Sequence, residues 1–265
     1  MTTDLDRARL LGRWLQDRTS THVDPFPWGR ALFNEVIPER YYSNFVRVER
    51  SLVGVEAVDL AAETDRVMAD LSHRQIQVHD DDDGARVVHE LVAFGYAAEH
   101  SATLAQRHPP DRSSAPALVT ELPYAAVREF FTEVYRRDLP HADPQVVVRF
   151  ADFRRVVQQL VGTRFFAGLV DGVVAGACEL YLHDHVAQVE HVDTLQEFRG
   201  RGVASSIVLR AVSEARAAGA DLVLIDADLD EGPISLYQGL GFVEIGRSWA
   251  FTKARADART ASALQ

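Results

Sequence analysis

One cysteine, Cys178, stands in the whole chain of 265 residues. A lone thiol excludes an internal disulfide and any zinc site built from several thiolates. Its neighbours, VVAGACELYL, form a strand-like apolar run that assigns it to the core. Long apolar runs are missing as well. None approaches the roughly 18 residues a membrane span requires, and the opening MTTDLDRARLLGRWLQDRTS carries acids and arginines where a secretory signal needs an apolar stretch. The expected setting is cytoplasmic, with no membrane partner. Positive charge is also in deficit: 28 Lys and Arg stand against 39 Asp and Glu, a formal net charge of -11. That balance argues against nucleic acid as a partner, because such surfaces neutralise phosphates with a basic face. An acidic field favours a cationic or amine-bearing partner instead.

What is present has the balance of a globular protein, with 47% hydrophobic and 25% charged residues. The length suits two domains better than one. The stretch RHPPDRSSAP, with three prolines and no apolar periodicity, predicts a linker at 107–116 between units at 1–106 and 117–253, with a small-residue tail at 254–265. Beyond the linker the pattern predicts a strand at ALVTEL, helices over 124–138 and 150–161, and three strands at TRFFAGLVDG, VVAGACELYL and VAQVEHVDTL. A helix ending near Gly219, a strand at DLVLIDAD, a helix over 233–240 and a last strand near FVEIGRSWAFTK follow. Strands joined by turns call for antiparallel pairing, whereas strand, helix, strand calls for parallel pairing. The fold class is therefore α+β, a mixed and mostly antiparallel sheet with helices on both faces. The segment from Ala61 to Arg107 repeats the order of units found after Ala211, with Gly95 matching Gly241 and Leu91 standing where Tyr237 does, which indicates a degenerate internal duplication. The acidic run HDDDD at 79–83 lacks the ligand spacing of a calcium loop and reads as a solvated turn, so no metal is expected.

The stretch LQEFRGRGVASSIVLRAV packs two glycines and two arginines ahead of an amphipathic helix. A glycine-bearing turn feeding a helix aims unpaired N–H groups and the positive end of the helix dipole at one point, so an anion belongs there, a pyrophosphate best of all. The Walker pattern fails for want of a lysine followed by serine or threonine, and a three-glycine dinucleotide fingerprint is absent.

Arg199, Gly202 and Ala204 at this spacing, followed about 30 residues later by SLYQGLGF, make the second half similar to the GNAT superfamily of acyl-CoA-dependent N-acyltransferases. The resemblance covers about 117–253 and implies the GNAT fold, with the duplication suggesting a tandem pseudo-dimer that exists as a monomer or weak homodimer. It implies that Arg199, Gly200, Arg201, Gly202, Val203 and Ala204 grip the pyrophosphate of acetyl-CoA. It places the pantetheine arm along Val192, Asp193, Thr194 and Leu195. Tyr237, ahead of Gly241 and Phe242, becomes the acid that protonates the leaving thiolate. An asparagine common in the family is Asp230 here, a further cofactor contact. The acceptor would be a primary amine of a small molecule or peptide. Glu190, an ionisable group in a central strand, is the chosen base, with His191 or Asp193 as alternatives and a structural carboxylate as the other reading. Strict alternation along that strand places Gln188, Glu190, Val192 and Thr194 on one face and Val189, His191 and Asp193 on the other. Tyr135, His141, Asp143, Arg149 and Trp249, with Trp14, Phe26 and Trp28 of the first half, are the candidates for framing the acceptor. A non-catalytic acyl-CoA-binding sensor of the same fold and an enzyme acylating a hydroxyl or a protein amino terminus are the other readings.

Overall fold

The computed structural model describes residues 2–111, 118–230 and 232–254. The linker expected at 107–116 lies outside the described residues from 112 on, and the tail expected at 254–265 lies outside them beyond Ala254.

The chain opens with α1 (Asp4–Thr19), whose start is fixed by a reciprocal cap: the Thr3 side chain accepts from the Asp6 N–H, and Asp6 accepts from the Thr3 N–H. The first half continues as β1 (His22–Phe26), β2 (Gly29–Phe33), β3 (Phe45–Val48), α2 (Ala57–Val67), β4 (His73–Val78), α3 (Asp81–Ala93) and β5 (Ala97–Gln106). The second runs β6 (Leu118–Leu122), α4 (Tyr124–Asp138), α5 (Pro144–Val161), β7 (Arg164–Val170), β8 (Val173–His183), β9 (Val186–Thr194), α6 (Val203–Ala217), β10 (Leu222–Asp228), α7 (Ile234–Gly239) and β11 (Phe242–Ala254). Two expectations shift. The acidic run is no turn: Asp80 caps α3 by accepting from the Asp83 N–H at 3.2 Å, and Asp81, Asp82 and Asp83 fill its first turn, where the helix dipole favours negative charge. Helix α5 starts at Pro144 rather than Phe150, because Asp143 caps it through the Gln145 N–H at 2.7 Å and proline suits the first helical position.

The strands form one sheet in the order β1-β2-β3-β4-β11-β5-β10-β9-β8-β7-β6. The last strand of each half has crossed over: β5 pairs antiparallel with β10, β11 pairs antiparallel with β4, and the two lie side by side in the middle. From that centre the order matches in both directions for four strands, with a single parallel pair on each side, β3 with β4 and β9 with β10, and β6 extends the second half by one more. The other pairings are antiparallel, and the helices lie on both faces. On one, Ile207, Val208 and Ala211 of α6 pack on Cys178, Val189 and Val223. On the other, Phe130, Phe131 and Val134 of α4 pack on Phe165, Ala167 and Ala177. Burial pushes the Cys178 thiol well up, which keeps it protonated and inert. Among the described residues no helix is long and apolar enough to cross a membrane.

Gly95 and Gly241, matched by the internal repeat, both have φ of 88° and each turns a helix into an exchanged strand. Their surroundings differ. A Cβ on Gly241 would come 1.9 Å from the main-chain oxygen of His108, whereas on Gly95 the nearest atom is the Lys253 Cε at 3.8 Å. Gly95→Ala should therefore cost about 1 kcal/mol, the conformational term alone, and Gly241→Ala about 3 kcal/mol or more, as read by urea unfolding. Equal losses would show that the close approach at Gly241 does not exist.

Candidate active site

Strands β9 and β10 are paired from Val186 and Leu222 only as far as Val189 and Ile225, although both run on for several residues. The cause is a bulge. Ala177 faces Asp193 and Glu179 faces Glu190, so Cys178 alone opposes both His191 and Val192, and His191 takes a φ of 52°. The extra residue bends β9 away from β10 and breaks the expected alternation: Glu190 and His191 both line the cleft on one face, while Val192 joins Val189 in the core under α6. In the gap lies a cavity of about 450 Å³, walled by Glu190, His191, Val192, Asp228, Asp230 and Tyr237.

The glycine-bearing turn at 199–202, the elbow between β9 and α6, closes one side of the end of β9. Gly200 and Gly202 each have φ of 75°, a conformation that costs other residues free energy. Gly202 occupies the N-cap of α6 and no side chain caps the helix, so the N–H groups of Val203 and Ala204 lack an intrahelical or capping partner. The Arg199 Nε donates to the Thr194 oxygen at 3.1 Å, tying elbow to strand, and the Arg201 guanidinium sits 5.5 Å from the Phe198 ring centre. Asp193 is held bidentately by Arg137 at 2.6 and 3.0 Å and also accepts from the Thr194 N–H, so its carboxylate is committed to ion pairing.

Tyr237 is buried on α7, packed against Phe242 with ring centres 6.2 Å apart, and its hydroxyl has no hydrogen-bond partner among the described residues. Burial, reinforced by Glu190, raises its pKa, so it stays a phenol. The Gln188 Nε2 donates to both Glu190 Oε1 at 2.5 Å and Asp226 Oδ2 at 3.0 Å. Burial raises both carboxyl groups above the usual range, and the charge of Asp226 adds to the rise of Glu190, so the pair titrates as a unit. His191 lies 3.8 Å from Glu179. The depth of the cleft, then the Arg154 guanidinium, lowers its pKa to about 3, so the imidazole is neutral.

A second cavity of about 450 Å³ runs between α1, α5 and the sheet, with walls from both halves. It shares Glu99, Glu190, His191 and Asp226 with the first, so the two meet at the carboxylate pair. Tyr135 and Trp249, two of the acceptor candidates, line it. The other acceptor candidates are engaged or placed elsewhere: Asp143 caps α5, Arg149 pairs with Glu39, Trp14 stacks on His183 at 4.1 Å, Phe26 and Trp28 pack in the first-half core, and His141 is exposed. Gln188, Glu179, Arg154, Asp226, Tyr42 and Glu99 were not foreseen. Asp226 in LVLIDA and Glu179 in ACELYL carried a signal, a carboxylate flanked by apolar strand residues. Glu99 carried none, because its place beside β10 depends on the strand exchange.

A carboxyl whose pKa is raised on folding binds protons more tightly folded than unfolded, so it destabilises the fold as pH rises above the unfolded value. Glu190→Gln should therefore melt a few degrees above wild type at alkaline pH, for about 1 kcal/mol relieved, with the gain shrinking to nothing below the ordinary carboxylate pKa of about 4.3. A melting-temperature series across pH checks this; a gain independent of pH would refute it.

Comparison with known proteins places this geometry. Residues 124–242 match the Acetyltransferase (GNAT) family. A search of curated proteins found no match. Among solved structures, a functionally unknown conserved protein from Staphylococcus epidermidis ATCC 12228 superposes with a TM-score of 0.69 at 13% identity, over 89% of this chain and 94% of that one. A GCN5-related N-acetyltransferase from Kribbella flavida gives 0.63 at 16% identity, over 96% of each. A tandem GNAT protein from the clavulanic acid biosynthesis pathway gives 0.57 at 15% identity, over 95% and 97%. These likenesses extend over both halves and concern the fold. The opened parallel strand pair, the uncapped helix mouth and the family match together identify residues 124–242 as a GNAT acetyltransferase domain within a tandem GNAT fold.

Proposed function

We propose that the chain is an N-acyltransferase that moves an acetyl group from acetyl-CoA to a primary amine of a small molecule or peptide by direct attack in a ternary complex. The observation that carries this reading is the meeting of two cavities at Glu190, one bounded by the opened strand and Tyr237, the other walled by both halves. The uncapped N–H groups of α6, the two glycines in left-handed conformation and the arginines beside them suit a pyrophosphate, held by residues 199–204. The free edge of β9 at Val192, Asp193 and Thr194, with Leu195 just beyond it, suits the pantetheine arm, with Asp230 at the cavity wall. In this arrangement the thioester reaches the junction of the cavities.

The chemistry then falls to two side chains. Glu190, ionised, takes the proton of the incoming ammonium, and the freed amine attacks the thioester carbonyl. As the C–S bond breaks, Tyr237 gives its proton to the departing sulfur, and the tyrosinate recovers one from the newly bonded nitrogen, which loses its second proton to become the amide. A phenol with an ordinary pKa near 10, raised further here, remains protonated for that task while the product thiol lies near 8.5. His191, neutral, and Asp193, locked to Arg137, are the weaker candidates for base. The catalytic unit is 117–253. The unit at 1–106 has no elbow of its own and acts as a non-catalytic wall and strand donor. With the exchanged strands paired internally, a monomer is the expected state, working in the cytoplasm.

Release of free coenzyme A thiol with pooled amines tests the reaction. Tyr237→Phe should lower kcat about 100-fold with a smaller effect on acetyl-CoA binding. Because Glu190 must be ionised and its pKa is raised, kcat/KM should climb with pH through a limb well above the ordinary carboxylate range, and Glu190→Gln should remove that limb. Arg199→Glu with Gly202→Glu should abolish acetyl-CoA binding by calorimetry while the melting transition stays cooperative; native affinity in that variant would put the cofactor elsewhere. Binding without amine-dependent thiol release would make the protein a sensor.

A further inference from the structure

The larger cavity also bears on which amine enters, an inference that rests on the reading above. Glu190 and Asp226 form no ion pair among the described residues; their side-chain partners are uncharged, Gln188 for both and Thr103 for Asp226. An ammonium is the natural complement of that end. Four arginines line the same cavity; Arg9 faces Asp80 and Arg247 is paired with Glu244, which leaves two guanidinium groups of different standing. Arg154 of α5 is paired with Glu179 and lies on the rings of Phe131 and Tyr135, 4.0 and 5.1 Å from their centres. Its side chain is only 7% exposed, and its Nε, buried, has no hydrogen-bond partner. Arg40, on the turn before the short 3-10 helix at Tyr41–Ser43, donates from Nη1 to the Ser43 Oγ at 2.8 Å and sits 5.6 Å from the Phe153 ring centre. Among the described residues no carboxylate pairs with it.

Glu179 balances Arg154, so Arg40 is a surplus positive charge, half-buried in a cavity whose other carboxylates answer to no cation. Both guanidiniums lie close enough to His191 for their charge to bear on it, which brings them to the neighbourhood of Glu190. An unmatched charge and an unmatched N–H donor in one cavity wall call for an acceptor group supplied from outside. A planar fork of donors suits a carboxylate. A diamine or a plain alkylamine would satisfy the acidic end and leave Arg40 and the Arg154 Nε unanswered.

We propose that this cavity selects an acceptor that carries a carboxylate besides its reactive amine, the carboxylate held by Arg40 and Arg154 and the amine delivered to Glu190 and Asp226. The first half, through Arg40, then sets specificity for chemistry performed by the second.

The test compares linear amino acids, from β-alanine to aminohexanoate, with the amino alcohols and diamines of matching length. Binding is read by calorimetry on the full-length protein, with and without coenzyme A, so the result stands whether or not any amine is acetylated. At one chain length or more the amino acid should bind about tenfold or more tighter than its alcohol. In Arg40→Gln that advantage should collapse toward unity, and Arg40→Lys should restore part of it. The wild-type comparison does not depend on any variant folding. An alcohol or diamine that binds as tightly as the acid at every length, a preference that survives Arg40→Gln, or no binding by any member of the series would each overturn the proposal. Acid-selective binding without acetylation would instead count against the enzymatic reading alone.

Discussion

The reciprocal pairing of β5 and β11 is the constraint on which the rest depends. Each half ends in a strand that hydrogen-bonds into the other, so one edge of β4 and one edge of β10 are satisfied by residues from the opposite half. Neither half-sheet is complete alone, and among the described residues the edges left are β1 and β6, at the far ends. The pairing also sets the cleft. With β5 locked beside β10, Glu99 comes to the same cavity as Asp226, and α1 is brought over the face that carries Glu190.

Within that frame one local irregularity makes the site. Had β9 continued in register, Glu190 would have met a neighbour on β10 and the strand edge would have been consumed by backbone pairing. The bulge at His191 releases the edge, turns two consecutive side chains to the same cleft and leaves Val192 to fill the core. The fold bears an electrostatic burden as a result: two carboxyl groups with raised pKa values beside a neutral histidine. Strain and like-charge crowding concentrated at one point, in a molecule otherwise rich in satisfied ion pairs, are what functional sites carry.

The second half was largely legible in the sequence because its signals are local. The elbow announces itself through Gly200 and Gly202, the α6 stripe through its period, and the α7 to β11 turn through Gly241 and Phe242. The bulge was not legible, since the alternation of VAQVEHVDTL looks regular and only its pairing with β8 shows two residues opposite Cys178. The acidic run was misread because a capping aspartate followed by three more has the composition of a turn and the charge of a helix start. Glu99, Arg40 and Arg154 were hidden for another reason. Their roles arise from contacts between distant segments, and an aromatic such as Trp14 attracts notice in a sequence even when it serves packing.

The crossing of the strands also orders the assembly of the chain as it is made. The half synthesised first holds an open slot between β4 and β5 until Phe242–Ala254 emerges, after every other strand of the sheet. Its partner, by contrast, finds β5 already waiting when β10 appears. The first half is thus built before its partner yet completed after it, and until β11 is in place it presents an unpaired strand edge that a chaperone or a second nascent chain could occupy.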